Sequence, residues 1–272
     1  MLKASLIISK FVLFILFFQS TAQASLLIAP LRVNFEDRER SKTVIIMNTG
    51  KTTNTYRIGF KNMQQLPDGE YKNISSEEEV DPSLFFADDM IRFSPRQVTL
   101  KPGARQQIRL SLRKPENLES GDYRSHLAFT QLPNPDMLES RPENQGIKLY
   151  MLTSFSIPVL VRQGQLSINS KIMSARINKT KHDTWQVEVD VSREGNFSTF
   201  GKLIVFWRPN ASSSYQELNF LDNSTLYRET KRRTINIALK ESQVQSGQFK
   251  VVYEPHKSFK IKTFDEFEFY YP

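Results

Sequence analysis

Residues 148–164 read KLYMLTSFSIPVLVRQG, a strand-forming run with an unusual distribution of polarity. Its odd positions carry Leu149, Met151, Thr153, Phe155, Ile157, Val159 and Val161, and its even positions carry Tyr150, Leu152, Ser154, Ser156, Pro158 and Leu160. Neither parity is polar throughout, whereas a strand with one face in water alternates cleanly. Pro158 has no N–H to give a ladder, which predicts that the strand lies at a sheet edge. The window from Tyr150 to Phe155 is uncharged, β-prone and free of Pro and Gly, so an open edge there invites pairing with other chains. Two readings follow. Either the strand is covered on both faces by its own domain and a neighbouring one, or Lys148 to Ile157 offers free backbone groups to another polypeptide, with Pro158 closing the pairing region. The second reading is β-strand addition, in which main-chain bonds give affinity and alternate side chains give specificity.

The rest of the chain predicts an all-β protein. Short β-branched or aromatic runs alternate with turn residues at intervals near ten. In the first half they fall near 26–36, 43–48, 55–62, 96–100, 105–113, 123–132 and 148–162. Seven such strands predict an immunoglobulin-like sandwich. The turn chemistry agrees, with NTGK at Asn48 to Lys51 and KPGA at Lys101 to Ala104. Residues 64–91, rich in acid, Pro and Gly, predict a long surface loop, and its Glu77 to Glu79 run reads as a solvated charge cluster. Past Gly164 come TWQVEVDVS, GKLIVFWRP, RTINIAL and GQFKVVYEP, again strands without helical period. The expected division is therefore 1–24 as leader, 25–163 as a first immunoglobulin-like domain and 164–272 as a second β-sandwich.

The leader is read from Lys3 and Lys10, the apolar FVLFILFF of Phe11 to Phe18, and Ala22-Gln23-Ala24. These are the charged, apolar and small-x-small parts of a secretory signal peptide. Eight uninterrupted apolar residues are far short of the ~20 needed to span a bilayer, and no later run approaches it. The expectation is export with cleavage near Ala24 and no membrane insertion afterwards. The remaining chain divides comfortably into two domains of roughly 120 residues each.

The formal charge of +8 includes Lys3 and Lys10, so loss of the leader leaves +6. Basic residues are scattered. Arg38 to Lys42 and Thr230 to Thr234 (TKRRT) are the densest runs, and both read as solvated turns. Nucleic-acid binding calls for a concentrated basic face with stacking aromatics, and export argues further against it. The chain contains 0 Cys, so neither disulfides nor thiolate metal sites hold it together, which fits a bacterial envelope.

Catalytic chemistry is hard to find. His126, His182 and His256 lack paired ligand spacing, and no nucleophile elbow, His-Glu-x-x-His, P-loop or dinucleotide fingerprint occurs. Asp88-Asp89 has no recognisable acid/base setting. The expectation is a protein with no enzyme activity, no cofactor and no metal. Sequons at Asn73, Asn178, Asn196, Asn210 and Asn223 leave room for a secreted adhesion or structural sandwich whose edge strand pairs with itself.

Four blocks, APLRVNFEDRERSKTVIIMNTG, FSPRQVTLKPGARQQIRLSLRKP, GDYRSHLAF and SFSIPVLVRQG, in that order and spacing, resemble the periplasmic chaperones of pilus assembly, the PapD-like family. The resemblance covers about 35 to 165 well and the second domain only loosely, through GQFKVVYEP. It implies two immunoglobulin-like domains set as a boomerang and a periplasmic location. The implied partners are pilin or fimbrial subunits, completed by a donated edge strand, and an outer-membrane usher that receives them. It also implies that Arg32, in PLRVNF, anchors the subunit's terminal carboxylate. A planar guanidinium suits that task because it grips a carboxylate with two hydrogen bonds. The family's second anchor is a lysine, and the matching position here is Pro158. Either another cation, Arg109 or Arg162, completes the site, or Arg32 works alone. Arg162 matches a family arginine read as structural near the domain junction, and where several members carry its acid partner this chain has Arg124. The implied donor residues are Leu149, Met151, Thr153, Phe155 and Ile157. A free edge of this kind also allows a self-capping homodimer.

Overall fold

The computed structural model describes residues 25–36, 38–74, 81, 83–134 and 151–272. The expected leader 1–24, Glu77 to Glu79, Leu149 and the segment 135–146 therefore lie outside the described residues. Among the described residues the chain forms 17 strands. In the first half these are β1 (Leu26–Ala29), β2 (Val33–Phe35), β3 (Ser41–Asn48), β4 (Asn54–Gln65), β5 (Tyr71–Ile74), β6 (Ile91–Ser94), β7 (Gln97–Leu100), β8 (Arg105–Leu112), β9 (Gly121–Gln131) and β10 (Ser154–Gln163). The second half holds β11 (Ile168–Lys179), β12 (Trp185–Gly195), β13 (Thr199–Arg208), β14 (Gln216–Leu226), β15 (Arg232–Ala238), β16 (Gly247–Pro255) and β17 (Asp265–Tyr271).

Two sandwiches result, each with its own core. In the first, a sheet ordered β1-β3-β8-β6 faces one ordered β2-β10-β9-β4-β5, with β7 paired to β4. In immunoglobulin lettering these are A-B-E-D against G-F-C with an extra C′-type strand. In the second, β11-β12-β15 faces β14-β13-β16-β17, which has the same handing-over of strands between two sheets. The first core gathers Val44, Ile46, Tyr56, Ile108, Leu127 and Phe129, and the second Val187, Val189, Leu203, Val205, Phe249 and Val251. The alternation along β8, polar Arg105, Gln107 and Arg109 outward and Ile108, Leu110 and Leu112 inward, is the period-two signal that makes it a half-buried strand.

Three sequence expectations need correcting. The strand read over 26–36 is two short strands in different sheets: β1 pairs with β3, β2 pairs with β10, and Pro30 lies in the break between them. The stretch 64–91 is not all loop, since β4 runs on to Gln65, β5 returns beside it and β6 begins at Ile91. Of the strand read over 148–162, residues 148–150 lie outside the described residues, and among the described ones the strand begins at Ser154 rather than at 151.

That last strand is also not an edge along its whole length. β10 pairs antiparallel with β9 from Ser154 to Gln163, while its other margin meets β2, in parallel, only from Val159 to Val161. Among the described residues nothing pairs with the second margin of Ser154 to Pro158. The polarity puzzle resolves along the same line. Ile157, Val159 and Val161 point into the first core, and Leu160 and Arg162 are buried on the opposite face, so the C-terminal half is covered on both sides. Further up the same odd row, Phe155 is half-buried against the core and Met151 is 87% exposed.

This gradient predicts unequal truncations. Ile157→Ala should cost about 2–5 kcal/mol and Met151→Ala no more than about 0.5 kcal/mol, by urea unfolding followed by circular dichroism. Equal costs would mean that the upper row is core too.

Candidate functional site

The open margin of β10 runs toward the junction of the two sandwiches, and at its end lies a cavity of about 320 Å³. Pro158 and Arg32 line it from the first sandwich, Thr225, Tyr227 and Arg233 from the second. Arg32 stands just before β2, the short strand that covers β10 beyond Pro158, so local topology places it beside the last unpaired residue. Its Nη2 donates to the Thr225 hydroxyl at 2.7 Å, and its guanidinium carbon lies 4.1 Å from the centre of the Phe200 ring. The aromatic face holds the plane of the cation. Its other terminal nitrogen, Nη1, is buried without a hydrogen-bond partner.

The other candidate cations lie elsewhere. Arg109 is exposed on β8, opposite Thr43 and Ser94 on the outer face of the other sheet, and does not line the cavity. Arg162 is buried and engaged: Nη1 meets Glu36 at 3.3 Å, Nε meets Asp122 at 3.4 Å, and the rings of Phe197, Phe200 and Phe259 surround it. The acid that the sequence places in doubt for Arg162 is thus supplied two residues before Arg124, by Asp122. Burial pushes the Asp122 carboxyl up from its ordinary value, opposed by the Arg162 cation and by the Ser198 N–H that donates to it.

Arg124 has a different task. Its Nη2 donates to the carbonyl of Met63 and forms a buried ion pair with Glu229 of the second sandwich. Its guanidinium also lies 3.8 Å from the centre of the Tyr227 ring. The two charged side chains are only 6% and 7% exposed, so the pair is a bolt across the junction. Beside it, Gln65 at the end of β4 bonds through all its polar groups to the segment 225–230: Nε2 to the Thr225 carbonyl, Oε1 from the Tyr227 N–H, its own N–H to Glu229 and its carbonyl from the Thr230 hydroxyl. Such a network fixes one relative placement of the sandwiches.

Of the implied donor row, Leu149 lies outside the described residues. Met151 is exposed, Thr153 and Phe155 are half-buried, and Ile157 belongs to the first core. The Thr153 carbonyl still accepts from the Gln131 N–H at 3.1 Å. Of the histidines, His126 is buried under the cavity, opposite Pro158 on β9. Its ring lies edge-on to Tyr71 at 5.4 Å. Burial, then the Arg124 and Arg32 cations, pull its pKa down to about 3. It is a neutral imidazole in a cationic surrounding. Among the described residues no cluster of His and acid side chains could hold a metal.

The residue that sequence reading missed is Arg233. It sits in the basic run read as a solvated turn, and Arg232 does behave that way, exposed and paired with Asp190. Arg233, however, shares the parity of Ile235 and Ile237, both buried, and that period-two alignment was the signal for an inward side chain.

No family model and no curated protein matches the chain. Solved structures resemble it. One is a chaperone–tip adhesin complex of CFA/I fimbriae, at 14% identity and TM-score 0.46, covering 91% of this chain and 98% of that one. Another is the CsuC–CsuE chaperone–tip adhesion subunit complex of Acinetobacter baumannii, at 15% and 0.44, covering 86% and 96%. A third is the Salmonella enterica SafA pilin with the SafB chaperone, at 10% and 0.41, covering 93% and 98%. Scores this low carry no weight for what this chain does.

Two predictions follow from the junction. Glu229→Gln should destabilise the protein by about 3–5 kcal/mol, because it strands a buried guanidinium. An unchanged denaturation midpoint would show that water reaches Arg124. As for His126, the unfolded imidazole titrates near 6.5 and the folded one near 3, so between those values the unfolded chain holds the extra proton and acidification destabilises the fold. Within that window the loss is about 1.4 kcal/mol per pH unit. Urea midpoints measured from about pH 6 to pH 4 should fall more steeply for the natural protein than for His126→Gln. Parallel profiles would mean that folded His126 titrates normally.

Proposed function

We propose that the protein is an exported, periplasmic chaperone that completes another polypeptide by lending it the open margin of β10, with residues 25–163 forming the lending domain and 164–272 its partner. The reading is supported above all by one juxtaposition: a strand unpaired on one side from Ser154 to Pro158 runs into a cavity where Arg32 keeps a buried, unpartnered N–H. Backbone groups of a guest chain pair with the margin, and its terminal carboxylate meets Arg32. A guest so anchored, with its end at Pro158 and its body along Ser154 to Ile157, lies parallel to β10. Met151 and Phe155 then project beside the guest's own apolar groove. Each apolar side chain buried there contributes about 1.5–3 kcal/mol, less the ordering cost of the segment.

The guest is a pilin-like or fimbrial subunit that lacks a strand of its own. Delivery to an outer-membrane usher belongs to the same reading, and no step in it is catalytic.

The test uses Met151→Asp. The side chain is 87% exposed, so stability should hold within about 0.5 kcal/mol. A charge entering an apolar groove should nonetheless remove the guest from affinity-purified envelope preparations analysed by mass spectrometry. Recovery of the same polypeptide in equal yield would overturn the reading. So would natural protein that carries only a second copy of itself.

A further inference from the structure

Arg32 and Arg233 come from different sandwiches, 201 residues apart in sequence, and meet on one residue. Arg32 donates to the hydroxyl of Thr225 and Arg233 to its backbone carbonyl, each at 2.7 Å. Each also has a buried N–H without a partner, Nη1 of Arg32 and Nε of Arg233. Both line the cavity at the end of the open β10 margin. The neighbouring junction cations, Arg124 and Arg162, have acid partners, whereas none of the described residues places a carboxylate on Arg32 or Arg233. Two adjacent cations with unsatisfied donors cost free energy in a partly desolvated site. An anion between them removes both costs.

We infer that Arg233 is the second grip on the guest's terminal carboxylate, supplied by the second sandwich across the domain junction. This rests on the function proposed above and deepens it. The position that resembles the family's lysine is Pro158, which has no charge to offer, but it lines the same cavity as Arg233. The second cation thus reaches the same space from the opposite wall. Its aim is fixed by the turn from Leu66 to Glu70. Gly69 there has φ +94°, and a side chain at that position would collide with the Arg233 guanidinium, so the bare glycine lets the backbone pack on it. A grip split between domains has a consequence that one built on a single domain lacks: recognition of the carboxylate depends on the sandwiches keeping their relative placement.

The experiment is calorimetric titration of the purified protein with an acetylated nonapeptide of alternating valine and serine, in two forms, free acid and C-terminal amide. The natural protein should prefer the acid by tenfold or more. Arg32→Gln and Arg233→Gln should each bring that preference below about threefold, as two donors acting on one ligand require. Should Arg233→Gln fail to fold, Arg233→Lys retains a donor for Thr225 and should lose several-fold of the preference. Full preference in the folded Arg233 variant, with loss in Arg32→Gln, overturns the inference and leaves the function standing. Equal binding of both forms by the natural protein, or binding of neither, overturns the carboxylate reading of the cavity and this inference with it.

Discussion

Taking a guanidinium out of water without an acceptor for its donors is expensive, and several of them, among them Arg32, Arg124, Arg162, Arg228 and Arg233, converge where the two sandwiches meet. The constraint divides four of them into two kinds. Arg124 and Arg162 have their charge neutralised from within, by Glu229 and by Asp122 with Glu36, and aromatic rings lie over them, although Nε of Arg124 and Nε and Nη2 of Arg162 have no hydrogen-bond acceptor. They act as bolts, and a buried pair holds because either partner alone is worse than both. Arg32 and Arg233 are satisfied only in part, by two atoms of Thr225. On the proposed function, the same physics that makes the first pair structural makes the second pair the guest's anchor.

The other constraint is the strand edge. A sheet that ends in free N–H and C=O groups templates association, and proteins ordinarily twist, charge or cover such an edge. Among the described residues β10 is covered by β2 along only three residues, Val159 to Val161, and the rest of that margin is open. Ser154 to Pro158 itself contains no charged residue, and the row above it leads out to an exposed Met151. Pro158 sits at the changeover, where a missing N–H costs the ladder little. An open margin of five residues is too short to stand as a stable pairing by itself. On the proposed function, coupling it to a charge site at one end gives the guest chain a fixed register as well as an affinity.

Much of this was legible in the chain, for reasons that can be named. Alternation along β8 and β12 and the Asn-Gly and Pro-Gly turns carry the sandwich, because period-two burial is a local property. Arg32 was legible through its flanking motif, and the edge through Pro158. What failed was non-local. Residues 26–36 look like one strand because nothing local says that the chain changes sheets at Pro30. Arg109 and Arg162 were plausible second cations by strand position, yet Arg109 faces solvent on the other sheet and Arg162 is consumed by Asp122. Arg233 takes its place at the cavity only when β15 is brought beside the turn that follows β4, and the turn-like run around it disguised a strand whose alternate residues are buried.

The two constraints are joined by one short chain of bonds. Gln65 closes β4 against the segment from Thr225 to Thr230, and its side-chain amide donates to the same Thr225 carbonyl that receives Arg233. The carbonyl therefore has both lone pairs engaged, one on each side of the junction, while the hydroxyl of the same residue receives Arg32. Any shift of one sandwich against the other moves the Thr225 carbonyl away from Gln65 before it disturbs either core. Arg32 would then part from Arg233, because Thr225 and Arg233 move with the second sandwich while Arg32 stays with the first. On the proposed function, rigidity at this junction is a condition of recognition at the end of β10, and the buried Arg124 and Glu229 pair serves it from a distance.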